Sequence, residues 1–206
     1  MSTLKKIENK ITKSKKGEVI FISDFLEFGD YDTVRKSLQR LSEKKTIIRL
    51  SKGIYYFPKI DNVFGIIYPS TEQIAKAIAQ RDRARIIPTG IYALYLLGLS
   101  TQVPMNVVYL TDGSARKIKI GKQTITFKKT NPKILTVNHQ LSNLLIQALK
   151  TIGENNITEN DLLKIKRLLK NSNETQKVAK NIKLAPIWIQ KIISQIIKQT
   201  ENENLA

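Results

Sequence analysis

The order of periodicities in the first sixty residues constrains this chain more than any other feature. Leu4, Ile7 and Ile11 recur at helical spacing, so residues 3–14 read as an amphipathic helix. Val19-Ile20-Phe21-Ile22 is a short apolar run suited to a strand. Ser23 then offers an N-cap to a short helix over residues 24–28, which Gly29 stops. Asp30 or Asp32 caps the next helix, in which Val34, Leu38 and Leu41 stand at i, i+4 and i+7 and which ends near Lys44-Lys45. Two β-rich runs, residues 46–50 and 54–57, flank Ser51-Lys52-Gly53 and form a hairpin. Helix, short strand, helix, helix and hairpin within about sixty residues is the succession of a winged helix. In that arrangement the third helix enters the major groove of duplex DNA and the hairpin flanks the backbone.

Residues 58–70 carry Pro58, Asp61-Asn62, Gly65 and Pro69 and read as a domain boundary. Beyond it, Ser70 or Thr71 caps a helix with Ile74, Ala75, Ile78 and Ala79 on one face. Pro88 is placed at the first turn of a following helix that runs through Tyr92, Leu96 and Leu97 to Gly98. Residues 107–110 read as a strand ahead of the turn Asp112-Gly113. Arg116–Ile120 and Gln123–Lys128 then flank Gly121-Lys122, a pair suited to a type II′ turn. Alternation puts Ile118, Ile120, Ile125 and Phe127 on one face of this hairpin and Lys117, Lys119, Thr124, Thr126 and Lys128 on the other, basic face. Helices follow around Leu141–Leu149, Leu162–Leu169, Glu174–Asn181 and from Pro186 through Ile197, with a polar tail from Thr200 expected to fray. The expected fold class is therefore α+β: an N-terminal winged helix over 1–60, a mixed α/β domain with a small antiparallel sheet over 66–150, and a helical extension over 151–206.

Composition narrows the function. With 206 residues, 41% of them hydrophobic, the chain has enough apolar material for a core. It has no run near the roughly 18 apolar residues that a membrane span needs and no signal-peptide pattern, so a cytoplasmic location with no membrane contact is expected. Cysteine is absent, which excludes disulfides and thiolate metal sites. The single histidine, His139, argues against a zinc site or a histidine-based triad. No glycine loop for phosphates, nucleophile elbow or paired-carboxylate motif stands out, so neither catalytic residues, a metal nor a cofactor is expected. His139, just ahead of a helix, reads as a cap or a surface residue. The 35 basic against 17 acidic residues leave a formal net charge of +18. A genome biased toward Lys codons explains Lys over Arg but not the shortage of acids, so a polyanionic partner is indicated, duplex DNA first.

The helical wheel locates the reading surface. With Val34, Leu38 and Leu41 inward, 100° per residue puts Asp32, Lys36, Gln39 and Glu43 opposite, flanked by Thr33, Arg35 and Arg40. Arg, Lys and Gln read base edges, and Thr33 is placed to touch a phosphate or a thymine methyl. Asp32 and Glu43 weaken the local field, which concentrates the expected contacts on residues 33–40. The hairpin adds Arg49 and Lys52, with Gly53 supplying a positive φ at the tip. In the second half, Arg81, Arg83 and Arg85 form a cluster, and no acid occurs between Gly113 and Gly153. Arg116, Lys117, Lys119 and Lys128 are thus candidates for further DNA phosphates or an acidic partner. The apolar stripe of the last helix, with Trp188 nearby, suits core packing or a homodimer contact on DNA.

The wing Ile48-Arg49-Leu50-Ser51-Lys52-Gly53-Ile54-Tyr55 resembles that of AbiEi-type antitoxins of bacterial type IV toxin–antitoxin systems. Pro88-Thr89-Gly90, Leu97-Gly98-Leu99-Ser100-Thr101-Gln102-Val103-Pro104, Tyr109-Leu110-Thr111-Asp112-Gly113 and Arg116-Lys117-Ile118-Lys119-Ile120-Gly121 follow in the same order. The likeness to the short AbiEi-related group covers about residues 5–150. It implies an antitoxin of abortive-infection phage defence that represses its own operon. It also implies a functional partner, a nucleotidyltransferase-type toxin, without requiring direct contact. It places DNA contacts on Arg35, Lys36, Gln39, Arg40, Arg49 and Lys52, with Arg116 and Lys119 as further ones. Two alternatives stay open from the sequence: a transcriptional regulator of a mobile element with no toxin partner, and an antitoxin that modifies its toxin enzymatically.

Overall fold

Helix α1 (Thr3–Lys13) starts where the Ser2 side chain accepts a hydrogen bond from Lys5 N, and it buries Ile7 and Ile11. The computed structural model describes residues 1–137 and 139–205. Strand β1 (Val19–Phe21) leads into a 3₁₀ helix over Ile22–Phe28. There the N-cap is not Ser23, as expected, but Phe21, whose backbone N donates at 2.8 Å to the carboxylate of Asp24 at the third helical position. The chain position of Asp24 lets its carboxylate fold back onto the strand end, whereas the Ser23 hydroxyl only reaches Asp24 itself, at 3.4 Å. Helix α2 (Tyr31–Glu43) is capped by Asp30, whose Oδ1 accepts Thr33 N at 2.9 Å, and Asp32 is left exposed. Val34, Leu38 and Leu41 are fully buried, the stripe that periodicity gives. The helix stops as Lys45 turns to φ 60° and Thr46 N donates to Leu41 O.

Strands β2 (Ile48–Ser51) and β3 (Ile54–Tyr56) form the expected hairpin, and β1 pairs antiparallel with the other edge of β3, giving the order β1-β3-β2. Gly53 at the tip has φ +74°, and the register shifts between Arg49 and Ser51. The segment read as a bare boundary is instead a second hairpin, β4 (Lys59–Asp61) and β5 (Gly65–Ile67). Its turn is made by Asp61, whose Oδ1 accepts both Val63 N and Phe64 N, an Asx turn that the sequence carries in Asp61-Asn62 and Gly65. Helix α3 (Thr71–Arg81) buries Ile74, Ala75, Ile78 and Ala79, as expected.

The second sheet has the order β6-β7-β9-β8, from β6 (Ile86–Thr89), β7 (Asn106–Thr111), β8 (Arg116–Ile120) and β9 (Gln123–Lys129). Two expectations fail here. Pro88 lies in β6 opposite Tyr109, and the next helix, α4 (Ile91–Leu96), starts only after Gly90. Because β6 is an edge strand, a proline that donates no ladder hydrogen bond is tolerated there. The sheet is also mixed: β6 and β7 are antiparallel, but β7 and β9 run parallel. That parallel pairing makes β9 a central strand. Thr126, assigned to the basic outer face, is consequently buried and donates to Asn106 Oδ1 at 2.8 Å.

Helix α5 (Gln140–Ile152) is nearly buried throughout, and α6 (Glu159–Ser172), α7 (Thr175–Asn181) and α8 (Ile187–Leu205) pack with it. One cluster joins Ala93 and Leu97 of the α4 region to Leu145, Leu149, Ile165, Leu169, Val178, Ile189 and Ile193. Where a polar tail is expected from Thr200, α8 continues to Leu205, and Thr200 is buried with its hydroxyl on Ile196 O. Ala206, the end of that predicted tail, lies outside the described residues. The chain thus has a mixed α+β fold with C-terminal helices. It divides into one unit of Met1–Arg81 with Ile118–Lys122, and another of Asp82–Lys117 with residues 123–206. Among the described residues, no helix is long and apolar enough to cross a membrane.

Candidate nucleic-acid interface

Burial of the Val34–Leu38–Leu41 stripe fixes which way α2 faces. Asp32, Thr33, Arg35, Lys36, Gln39, Arg40 and Glu43 all lie on its outer side, the surface that the wheel predicts. The side chains there are not equivalent. Arg35 Nε donates to Asp32 Oδ1 at 3.2 Å and Gln39 Nε2 to Glu43 Oε1 at 3.1 Å. Thr33 donates its hydroxyl to Asp30 Oδ2 at 2.7 Å, so the proton that would meet a phosphate is held by the cap and the γ-methyl is what remains. The backbone N–H and the hydroxyl of Thr33 together hold the Asp30 carboxyl below the usual carboxylate range. Lys36 and Arg40, four residues apart, have no acidic side chain within ion-pair distance among the described residues. They are cations of α2 that no direct ion pair engages among the described residues. The Arg35–Asp32 pair is solvent-exposed, and such pairs are worth about 0–1 kcal/mol, so a stronger anion displaces it easily.

The hairpin meets this helix at Tyr55. Arg49 stands opposite Tyr55 across the β2–β3 ladder. Burial pushes the Tyr55 phenol up, while the charges of Arg49 and, more weakly, Arg35 act against it, and Tyr31 adds to the rise. An arginine from α2 and one from the hairpin therefore share one electrostatic neighbourhood. Lys52 is exposed at the hairpin tip. Sequence reasoning places each cation on its element but misses Tyr55, on whose phenol both arginines act. The alternation Ile54-Tyr55-Tyr56 is masked there by burial on both faces of β3, so no surface signal marks Tyr55.

The second-half candidates are dispersed by their partners. The Arg81 guanidinium stacks on the Phe21 ring at 4.4 Å. Arg85 Nε donates to Asp112 Oδ2 at 2.8 Å while its backbone N donates to Oδ1, tying β6 to the turn after β7. Arg116 pairs with Asp82 and lies over the Phe127 ring. These three arginines hold the fold. Arg83 has a backbone φ of 51°, and Lys117, Lys119 and Lys128 are exposed. The Arg85 contacts hold the Asp112 carboxyl below its ordinary range. A carboxyl lowered in the folded state stabilises it above the unfolded value near about pH 4, and that contribution is lost as pH falls through the folded value. Wild type is therefore expected to exceed Asp112→Asn in urea midpoint at neutral pH, with the gap closing below about pH 4. A gap that persists undiminished to strong acid would refute the pairing.

The lone histidine performs a local task. His139 Nδ1 accepts Ser142 N and lies 2.7 Å from Ser142 Oγ, so His139 is the N-cap of α5, and its Nε2 is 3.5 Å from Glu174 Oε1. Serine, histidine and carboxylate lie in a row, but Ser142 is fully buried, which leaves no path for a substrate to its hydroxyl. A shallow cleft of about 410 Å³ is lined by Leu97, Lys164, Arg167 and Ser172, and a neighbouring one of about 330 Å³ is lined by His139, Leu141 and Glu174 but not by the buried Ser142.

The sequence matches, over residues 6–178, the family described as a family of unknown function, DUF6088. No curated protein matches it. Among solved structures, the RV2827C protein from Mycobacterium tuberculosis is similar, with a TM-score of 0.50 and 12% identity over 96% of this chain and 77% of that one. At that identity the likeness speaks for a common fold.

Proposed function

The chain belongs to the DUF6088 family, and within it we propose a cytoplasmic, non-enzymatic protein that binds duplex DNA through an N-terminal winged helix. One observation carries the reading: among the described residues, Lys36 and Arg40 on the outer face of α2 have no acidic side chain within ion-pair distance, and Arg35 of the same helix acts with the hairpin arginine Arg49 on the Tyr55 phenol. A helix of this kind, packed on α1 and the 3₁₀ segment, presents cations to a major groove, and Arg49 and Lys52 of the hairpin would meet the backbone. The biological role we attach to it is that of an AbiEi-like antitoxin, which represses its own operon and counteracts a nucleotidyltransferase-type toxin. The ordered set from Pro88-Thr89-Gly90 to Arg116–Gly121 supports that part of the reading. His139 as a helix cap and the buried Ser142 support a role without catalysis.

The test is a mobility-shift titration with the DNA upstream of the chain's own gene against a scrambled duplex, repeated at several salt concentrations. Preference for the upstream DNA is expected, by at least about a thousandfold for specific binding. The logarithm of affinity should fall with log salt at about 0.9 per phosphate neutralised. Equal affinity for both duplexes would overturn the operator reading.

A further inference from the structure

The β4–β5 hairpin is the least expected surface of the chain. Its strands are three residues each and, among the described residues, pair only with one another, so both outer edges are open. Its apolar side chains point to water on both faces: Ile60 is 64% exposed, Val63 and Phe64 83%, and Tyr68 60%, with Ile66 and Ile67 more than a third exposed. It is not a loose flap. The Tyr56 hydroxyl donates to Ile67 O and accepts from Lys59 N, tying the hairpin to β3, while Asp61 closes its turn. A two-stranded hairpin is at best marginally stable in water and usually needs something to cover it.

Area and charge indicate what that cover is. With roughly 150–250 Å² for an aromatic side chain and less for an aliphatic one, the six side chains expose on the order of 700 Å² over the two faces and the turn together, so a partner must wrap the hairpin to cover it all. The largest apolar patch on a typical monomer is about 300–600 Å², whereas a standard interface takes about 800 Å² from each partner. Lys59 and Asp61 are the only charged residues from 59 to 70, and the Asp61 carboxylate already accepts two backbone N–H groups. The patch is therefore neutral on a chain of net charge +18. The hairpin's own residues offer nucleic acid and acidic proteins no net charge. Two copies of the chain, which repel each other over the rest of their basic surface, meet least repulsion there. An isologous contact sets the same apolar surface against itself, and open strand edges on both copies add main-chain pairing.

We propose that the β4–β5 hairpin is the surface through which two copies of this chain associate. The inference stands apart from DNA reading, because its first readout is mass in solution without DNA. Sedimentation equilibrium of the full chain over about 1–100 μM spans the affinities expected of an interface this size. The weight-average mass is expected to approach that of a dimer. The Val63→Asp/Phe64→Asp variant should raise the dissociation constant at least about tenfold, with circular dichroism unchanged. Both side chains are mostly exposed, and the turn uses only their backbone N–H groups, so the fold does not depend on them. Ile60→Lys, in β4, is the second variant and is expected to act likewise. A wild-type chain that stays monomeric throughout overturns the proposal, as do folded variants that dimerise like wild type. Retained operator binding by a monomeric variant would leave the DNA reading in place, whereas loss of all DNA binding by a dimeric wild type would count against that reading alone.

Discussion

Replacing Lys36 and Arg40 together with alanine is expected to weaken binding to the chain's own upstream DNA by about 100-fold at fixed salt, taking roughly 1–3 kcal/mol for each side chain removed. The structure singles out these two. Asp32 draws on Arg35 and Glu43 on Gln39, but among the described residues nothing acidic is paired with Lys36 or Arg40. Neither contributes to the buried stripe, so circular dichroism and the urea midpoint should hardly move. The salt dependence separates two mechanisms. If both side chains neutralise phosphates, the slope of log affinity against log salt should shrink by nearly two. If they read base edges, the slope stays and the preference over a scrambled duplex narrows instead. A folded double variant that binds within about threefold of wild type would remove α2 as the reading element.

The parts of the fold governed by local periodicity are legible in the chain itself. The Val34–Leu38–Leu41 stripe orients α2, and Gly53 marks the first hairpin, because helix faces and tight turns are decided by neighbours in sequence. Expectations fail where distant strands decide. Pro88 looks like a helix start until β6 is known to be an edge, and Thr126 looks solvent-facing until β9 is placed beside β7. The β4–β5 hairpin is hidden because its apolar residues lie among Pro, Asn and Gly, which mark a linker equally well. The site shows the same division. Which cations lie on α2 and the hairpin is legible from the wheel. Which of the basic residues are engaged is not, since Asp112 lies 27 positions from Arg85 and Asp82 lies 34 from Arg116. Ion pairs across such separations leave no trace in composition.

Leu38→Ala is expected to lower stability by about 2–5 kcal/mol without touching the cationic face, since it removes a fully buried side chain from the inner side of the same helix. Leu38 belongs to a core built from α1, α2, the 3₁₀ segment and the first sheet, through Ile7, Ile11, Phe25, Leu41, Ile47 and Tyr55. Against a net stability of about 5–15 kcal/mol for a domain, that is a large fraction. The second core, around α5, α6 and α8, shares none of these residues and carries the only tryptophan, Trp188. Trp188 fluorescence therefore reports the second core, while circular dichroism sees both. In urea, the variant's dichroism midpoint should fall while its Trp188 midpoint stays near that of wild type. Equal falls by both probes would mean that the two cores unfold as one cooperative body. On DNA the two variants should part company. Leu38→Ala should lose binding only in proportion to the fraction unfolded, and recover it on stabilisation by saturating duplex. The Lys36/Arg40 double variant should stay folded and fail to bind. If Leu38→Ala fails to bind while still folded, the packing beneath α2 sets the pose of its cations, and burial and recognition on that helix are not separable.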